Sequence, residues 1–373
     1  MKPRVYGGIA FAALLFLLVQ VGALALVPTF YAEGYQQVED PTDPANSVLY
    51  IGAILVATAL MLAAFKYDFD WAVRGVVVLT SGLLSWYVFS VFLTLVPSVV
   101  LAASVALALL LYPEWYVIDT AGVLMGAGAA ALFGISFGVL PAVVLLLALA
   151  VYDAISVYGT RHMLELAEGV MDLRIPVVLV IPTSLSYSLL DADIGGVADT
   201  GDGDDADAEG DTAATADGGS PGDDSDGRGD AAGPTSGDGD AVAGGADAEA
   251  ADVEDPDHAD DGAEEATSDE SVRDAFFIGL GDAVMPTVMV ASGAFFSPAA
   301  SLGLSTLPAL NLPALTAMVG TFLGFFLLMW AVTKGRAHAG LPLLNGGAVG
   351  GYLVGSLVAG VPPVEALGLT PYL

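Results

Sequence analysis

Nine apolar runs follow one another along this chain, and most are long enough to cross a bilayer. A hydrocarbon core about 30 Å thick takes roughly 20 apolar residues of helix. A segment in that medium must satisfy its own backbone hydrogen bonds, so a chain with several such runs folds as a bundle of membrane helices. The runs are Val5–Thr29, Val48–Phe65, Ala72–Val96, a short Ser98–Tyr112 after the breaker Pro97, Val117–Phe137, Val139–Tyr158, Ala275–Phe296, Pro313–Val332 and Leu341–Val361. The first follows Lys2 and Arg4 and contains a cleavage-like Ala23-Leu24-Ala25. It exceeds the usual signal-peptide core, so a retained first span is expected. The fold class is therefore all-α and polytopic, with nine transmembrane helices.

Charge is confined rather than spread. The net charge is −33, yet residues 191–272 hold 28 of the 43 acids and a single base, Arg228. That segment is almost wholly Asp, Gly, Ala, Glu, Ser and Thr with no aromatic residue, too poor in apolar surface to offset its chain entropy, so a long disordered loop is expected between helices 6 and 7. Before it, Arg161–Glu168 reads as an amphipathic interfacial helix. Pro176–Leu190 is too short and broken for a span and reads as re-entrant or interfacial. The organisation is residues 1–137 as a five-helix scaffold, 138–190 as helix 6 with its interfacial segment, 191–272 as the acidic loop, and 273–373 as helices 7–9. Nine spans put all ten Lys and Arg residues on one side, which makes the N-terminus and acidic loop cytoplasmic and the C-terminus external. A multi-pass cell-membrane protein is expected.

Two spans each carry one acid well inside the run. Asp153 lies in Val151-Tyr152-Asp153-Ala154, and Asp282 in Gly279-Leu280-Gly281-Asp282. A carboxylate in hydrocarbon costs about 2.5–3.5 kcal/mol even on insertion scales, so such an acid is a functional candidate. Each lies about six or seven residues from the same side of the membrane, a depth of roughly 9–11 Å at helical rise. Two carboxyls that meet in a poorly solvated site should hold one proton between them.

Tyr152-Asp153 and Gly279-Leu280-Gly281-Asp282 resemble the paired YD and GxGD motifs of the intramembrane aspartyl proteases, the presenilin and signal peptide peptidase family. The resemblance implies an aspartic endopeptidase with Asp153 and Asp282 as the catalytic dyad. It also implies a PAL motif opening the last span. Pro342-Leu343-Leu344 stands there with Leu for the middle Ala, while the literal matches Pro308-Ala309-Leu310 and Pro313-Ala314-Leu315 lie on the far side and read as decoys. Gly279 and Gly281 remove side chains beside Asp282, so a neighbouring helix or an extended substrate can come close. Tyr152 reads either as a hydrogen-bonding partner near the dyad or as an interfacial aromatic. The implied substrates are single-pass transmembrane helices or signal-peptide remnants, unwound near the site, and the other partner is the bilayer itself. No partner subunit is evident.

The other reading is a secondary transporter or channel with two buried carboxylates and helix breaks at Pro182, Pro286 and Pro342. Against it, the halves show no inverted repeat and the acids lie near one face. No cysteine occurs and His162, His258 and His338 lack metal-ligand spacing, so no metal or other cofactor is expected. Asp68, Asp70, Glu114 and Asp119 lie at span ends and read as solvated. The acidic insert argues against nucleic-acid binding.

Overall fold

In a computed structural model the described residues are 3–67, 69–159, 176–182, 187–189, 275–334 and 339–372. The Arg161–Glu168 segment, the acidic stretch 191–272 and all three histidines lie outside them. Helices α1 (Pro3–Ala32), α2 (Ala45–Lys66), α3 (Asp70–Phe92), α4 (Leu95–Leu111), α5 (Trp115–Ser136) and α6 (Val139–Gly159) lead to strand β1 (Val178–Pro182). The chain resumes with strand β2 (Ala275–Gly279), then α7 (Leu280–Phe296), α8 (Leu312–Val332), α9 (Gly340–Val358) and a short α10 (Pro363–Ala366). Among the described residues, seven helices are long and apolar enough to cross a membrane, and α4 and α7, at 17 residues each, are shorter apolar helices.

Helices α1, α5 and α7 form the centre, α8 and α9 make the most extensive pair, α6 lies on α7 and α9, and α3 and α4 cover α5. Around them the outward faces are apolar, as a lipid-facing surface requires; α2 buries only Ser47. Two prolines sit in a first helical turn, which has no amide partner to lose. Pro97, read above as a break between spans, is the third residue of α4, and Pro313 the second of α8. Asn311 caps α8 by accepting the Ala314 amide at 2.9 Å, and its Nδ2 donates to the Gly293 carbonyl at 3.0 Å, tying the end of α7 to the start of α8.

The described contacts sort into two ends. At one, the Gln37 amide donates to Ser136 Oγ at 2.9 Å and Ser47 Oγ to the Pro141 carbonyl at 2.7 Å, joining the ends of α1 and α5 and the starts of α2 and α6. Asn311 lies at this end too. At the other, Arg74 at the start of α3 donates to the Leu110 carbonyl at the end of α4 at 3.2 Å, and the starts of α1, α5, α7 and α9 gather around β1 and β2.

One expected span is built differently. Ala275–Phe296 is not a continuous helix: its first five residues are β2, paired antiparallel with β1 in the register Val178↔Gly279 to Pro182↔Ala275. The β-branched and aromatic residues of both segments favour strand, and Pro182 stands at a position whose amide would point away from β2, so it costs the ladder no bond. The segment read as re-entrant thus supplies a strand, and the Leu280 amide closes the ribbon on the Val177 carbonyl at 2.7 Å.

Candidate active site

The start of α9 lacks a side-chain cap of its own, because Ala339 occupies the N-cap position. Its orphan amides are served from another helix: Leu341 N–H donates to Asp153 Oδ2 at 3.0 Å. Asp153, in the last turns of α6, is buried. On the other side of the same turn stands Asp282, the third residue of α7 and half-buried. A Cβ placed on Gly340 would lie 3.6 Å from both carboxylate oxygens of Asp282. The two acids therefore flank one dipeptide, Gly340-Leu341, and each lies within the electrostatic field of the other. The positive end of the α9 dipole points at both.

Local sequence explains why the backbone at Asp282 is loosely held and uncrowded. Pro286, four residues on, has no amide to give to the Asp282 carbonyl, so the first turn of α7 is loosely held. Gly281 is exposed, with nothing within 4 Å of where its Cβ would be, and the Cβ position of Gly279 meets only the Asp282 carboxylate, at 3.6 Å. Among the described residues, no neighbouring helix uses the room these glycines leave. Beside them lies a cavity of about 220 Å3, walled by β2, by Val5 and Gly8 of α1, by Leu328 and Thr333 at the end of α8, and by Asp282.

The other expected residues divide. Leu280 is buried against α5, where Gly126 leaves it room. Tyr152 is exposed and makes no hydrogen bond to either acid among those described. In Pro342-Leu343-Leu344, Pro342 sits in the first turn of α9, Leu343 packs its carbonyl against Gly324 of α8, and Leu344 is fully buried. The residues that meet the acids are the two just before that motif. Pro308-Ala309-Leu310 and Pro313-Ala314-Leu315 lie at the opposite end, beside Asn311. No group of three or more metal-ligating side chains occurs among the described residues.

Two acids read as solvated are not. Asp119 is 3% exposed and accepts the Val180 amide at 2.8 Å; Glu114 is 4% exposed and accepts from Ser188 Oγ at 2.6 Å and the Leu189 amide at 3.0 Å. Both hold the segment that carries β1. Asp119 was detectable, since it is an ionisable residue inside an apolar run, the same signal that singles out Asp282. Asn345 was missed as well: its Nδ2 donates to the Leu146 carbonyl at 3.0 Å and locks α9 to α6 one turn beyond Leu341.

The fold and these two facing carboxylates define a polytopic membrane protein with an aspartyl-type centre. The profile of the family described as signal-peptide peptidase, presenilin aspartyl protease matches residues 13–212 and 254–361, and the chain belongs to that family. Among solved structures it is similar to a presenilin family intramembrane aspartate protease in space group C222, at 26% identity and a TM-score of 0.54, over 94% of this chain and 99% of that one. A second structure of a presenilin family intramembrane aspartate protease, in space group P2, is 28% identical with a TM-score of 0.49, over 93% and 96% of the two chains. No curated protein matches.

Proposed function

We propose that this protein hydrolyses peptide bonds within single-pass transmembrane helices or signal-peptide remnants, with Asp153 and Asp282 as its catalytic dyad. The observation that carries this reading is the convergence of both carboxylates on Gly340-Leu341. One carboxylate takes a proton from a water held between them while the other, protonated, polarises the scissile carbonyl. Helical substrate must unwind to expose that carbonyl. β2 lies beside the cavity next to Asp282 and, among the described residues, pairs with β1 on one side only, so its other edge can receive an extended segment as an added strand.

The chain crosses the membrane nine times in this reading. A 17-residue helix spans about 25 Å, short of the hydrocarbon core, and in α7 the preceding five-residue strand supplies the missing length. The sorting of contacts into two ends is what strict alternation of nine crossings requires. Lys66, Arg74 and Lys334 all lie at the end that holds the acids, and by the positive-inside rule this supports a cytoplasmic setting for that end. Water then reaches the dyad from the cytoplasmic side, and the C-terminus is external.

The test is cleavage of candidate single-pass helices by purified protein in liposomes, with products mapped by mass. Asp153→Asn and Asp282→Asn should each abolish cleavage while substrate helix still binds, and a mimic with a hydroxyl in place of the scissile carbonyl should inhibit. Undiminished cleavage by either variant would remove the dyad.

A further inference from the structure

We propose that Asp119 is a positioning residue for this hydrolysis: from α5 it holds the β1–β2 ribbon and so sets where α7 begins and where Asp282 stands. The inference rests on the proteolytic reading for its kinetic consequence, but its structural part stands without it.

Asp119 is a buried acid that the proposed chemistry does not use. Its Oδ1 takes the Val180 amide at 2.8 Å, and its Oδ2 is enclosed with no partner among the described residues. Withdrawing a carboxylate from water is costly, and one backbone bond is all that this one makes. What it holds is therefore the informative part.

Val180 stands opposite Phe277 in the ribbon. Because its amide goes to Asp119, it points away from β2, as alternate residues of an antiparallel pair do. Asp119 thus fixes the outer edge of β1 and leaves the ladder intact. The ladder runs on to the Leu280 amide, bonded to the Val177 carbonyl at 2.7 Å, two residues before Asp282.

The same face of α5 continues the hold. One turn beyond Asp119, a Cβ on Gly122 would lie 2.9 Å from Leu179 and 3.8 Å from Leu280; one turn further, a Cβ on Gly126 would lie 3.2 Å from both Leu280 and Val284. Leu280 and Val284 are the residues two before and two after Asp282. Positions 119, 122 and 126 follow the spacing of a single helix face. They meet β1, then the start of α7, then its second turn. The glycines let these parts touch α5 but allow sliding along it. Asp119 is the polar group in the row, and a hydrogen bond to one particular amide sets the position along the row. Slippage by one residue would turn every ribbon side chain to the other face.

Two substitutions separate the parts. Asp119→Leu removes the acceptor, and Asp119→Asn keeps one of the same shape. Val180→Pro removes only the amide, at an edge position where proline leaves the ladder bonds in place. Hydrogen exchange of residues 178–182 and 275–279 is read in each variant on the Asp282→Asn background, together with a thermal melt. On the native Asp282 background, kcat and KM are read for a helix substrate. Asp119→Leu and Val180→Pro should both lose exchange protection in the ribbon and lower kcat by about 10- to 100-fold, as misplacement by an ångström does, with KM little changed. Asp119→Asn should restore both.

Protection retained in Asp119→Leu and Val180→Pro would overturn the proposal. So would a loss in Asp119→Asn as large as that in Asp119→Leu, since the charge itself would then be at work. If Asp119→Leu does not fold, Val180→Pro decides alone. A wild-type chain that cleaves nothing would instead overturn the proteolytic reading and leave the exchange result standing.

Discussion

The α8–α9 pair and the junction of α6, α7 and α9 are both rich in glycine or acid, yet they are assembled on opposite plans. Along the pair, glycines bring backbones into contact: a Cβ on Gly320 would overlap the Gly347 carbonyl, one on Gly324 the Leu343 carbonyl, and one on Gly351 the Thr316 carbonyl. At the junction, Gly279 and Gly281 face open space and the Asp282 carboxylate. In the first region the missing side chain is filled by a neighbour, and in the second it is left for something that arrives. The rigid pair holds α9 so that its first turn, with Gly340 and Leu341, is presented to two acids on other helices.

The comparison breaks most visibly in the seam. Gly320→Val should destabilise the protein by at least the upper part of the roughly 1–3 kcal/mol typical of overpacking, because the atom it strikes is backbone and cannot rotate away. Thermal unfolding in detergent reads this, and a variant that melts with the wild type would mean the seam is not a close contact. Next in size is Leu341→Pro. Proline is tolerated in a first helical turn, so α9 should form, but the amide given to Asp153 is gone. Hydrogen bonds to charged groups contribute about 1.5–3 kcal/mol, so kcat/KM should fall about 10- to 100-fold with stability nearly unchanged. If stability falls as far as activity, the bond serves the fold and the two regions are not distinct.

Most of the helices were legible because hydropathy reports the solvent directly: the boundaries expected for α5, α6 and α8 lie within two residues of those found. Asp153 and Asp282 stood out for the same reason, since a lone acid in an apolar run has few structural excuses. What escaped was whatever depends on partners distant in sequence. Phe276, Phe277 and Ile278 are as apolar in a strand as in a helix, and only pairing with β1, across some ninety residues, decides between them. Asp119 was misjudged by its nearness to a span end; an amide 61 residues away brings it inside. Gly340 precedes the proline motif and carries no side chain to notice, although it stands between the acids. Glycine content alone likewise gave one expectation, close approach, for two regions that use it in opposite ways.

The smallest expected change sharpens that distinction best. Gly281 lies in the first turn of α7, is exposed, and has an ordinary helical backbone rather than a positive φ. Gly281→Ala should therefore leave the fold intact and raise stability by up to about 1 kcal/mol, the helix-propensity gain. Its effect on catalysis has the opposite sign. If the open side of Gly281 is where an extended substrate passes, one methyl there should raise KM, and Gly281→Leu should raise it further, with the melting temperature of both at or above that of wild type. Steady-state kinetics beside a thermal melt separates the two responses. Unchanged kcat/KM in Gly281→Leu would mean that the space beside Asp282 is not on the substrate's path, and the glycine would then need the same packing explanation as those of the seam.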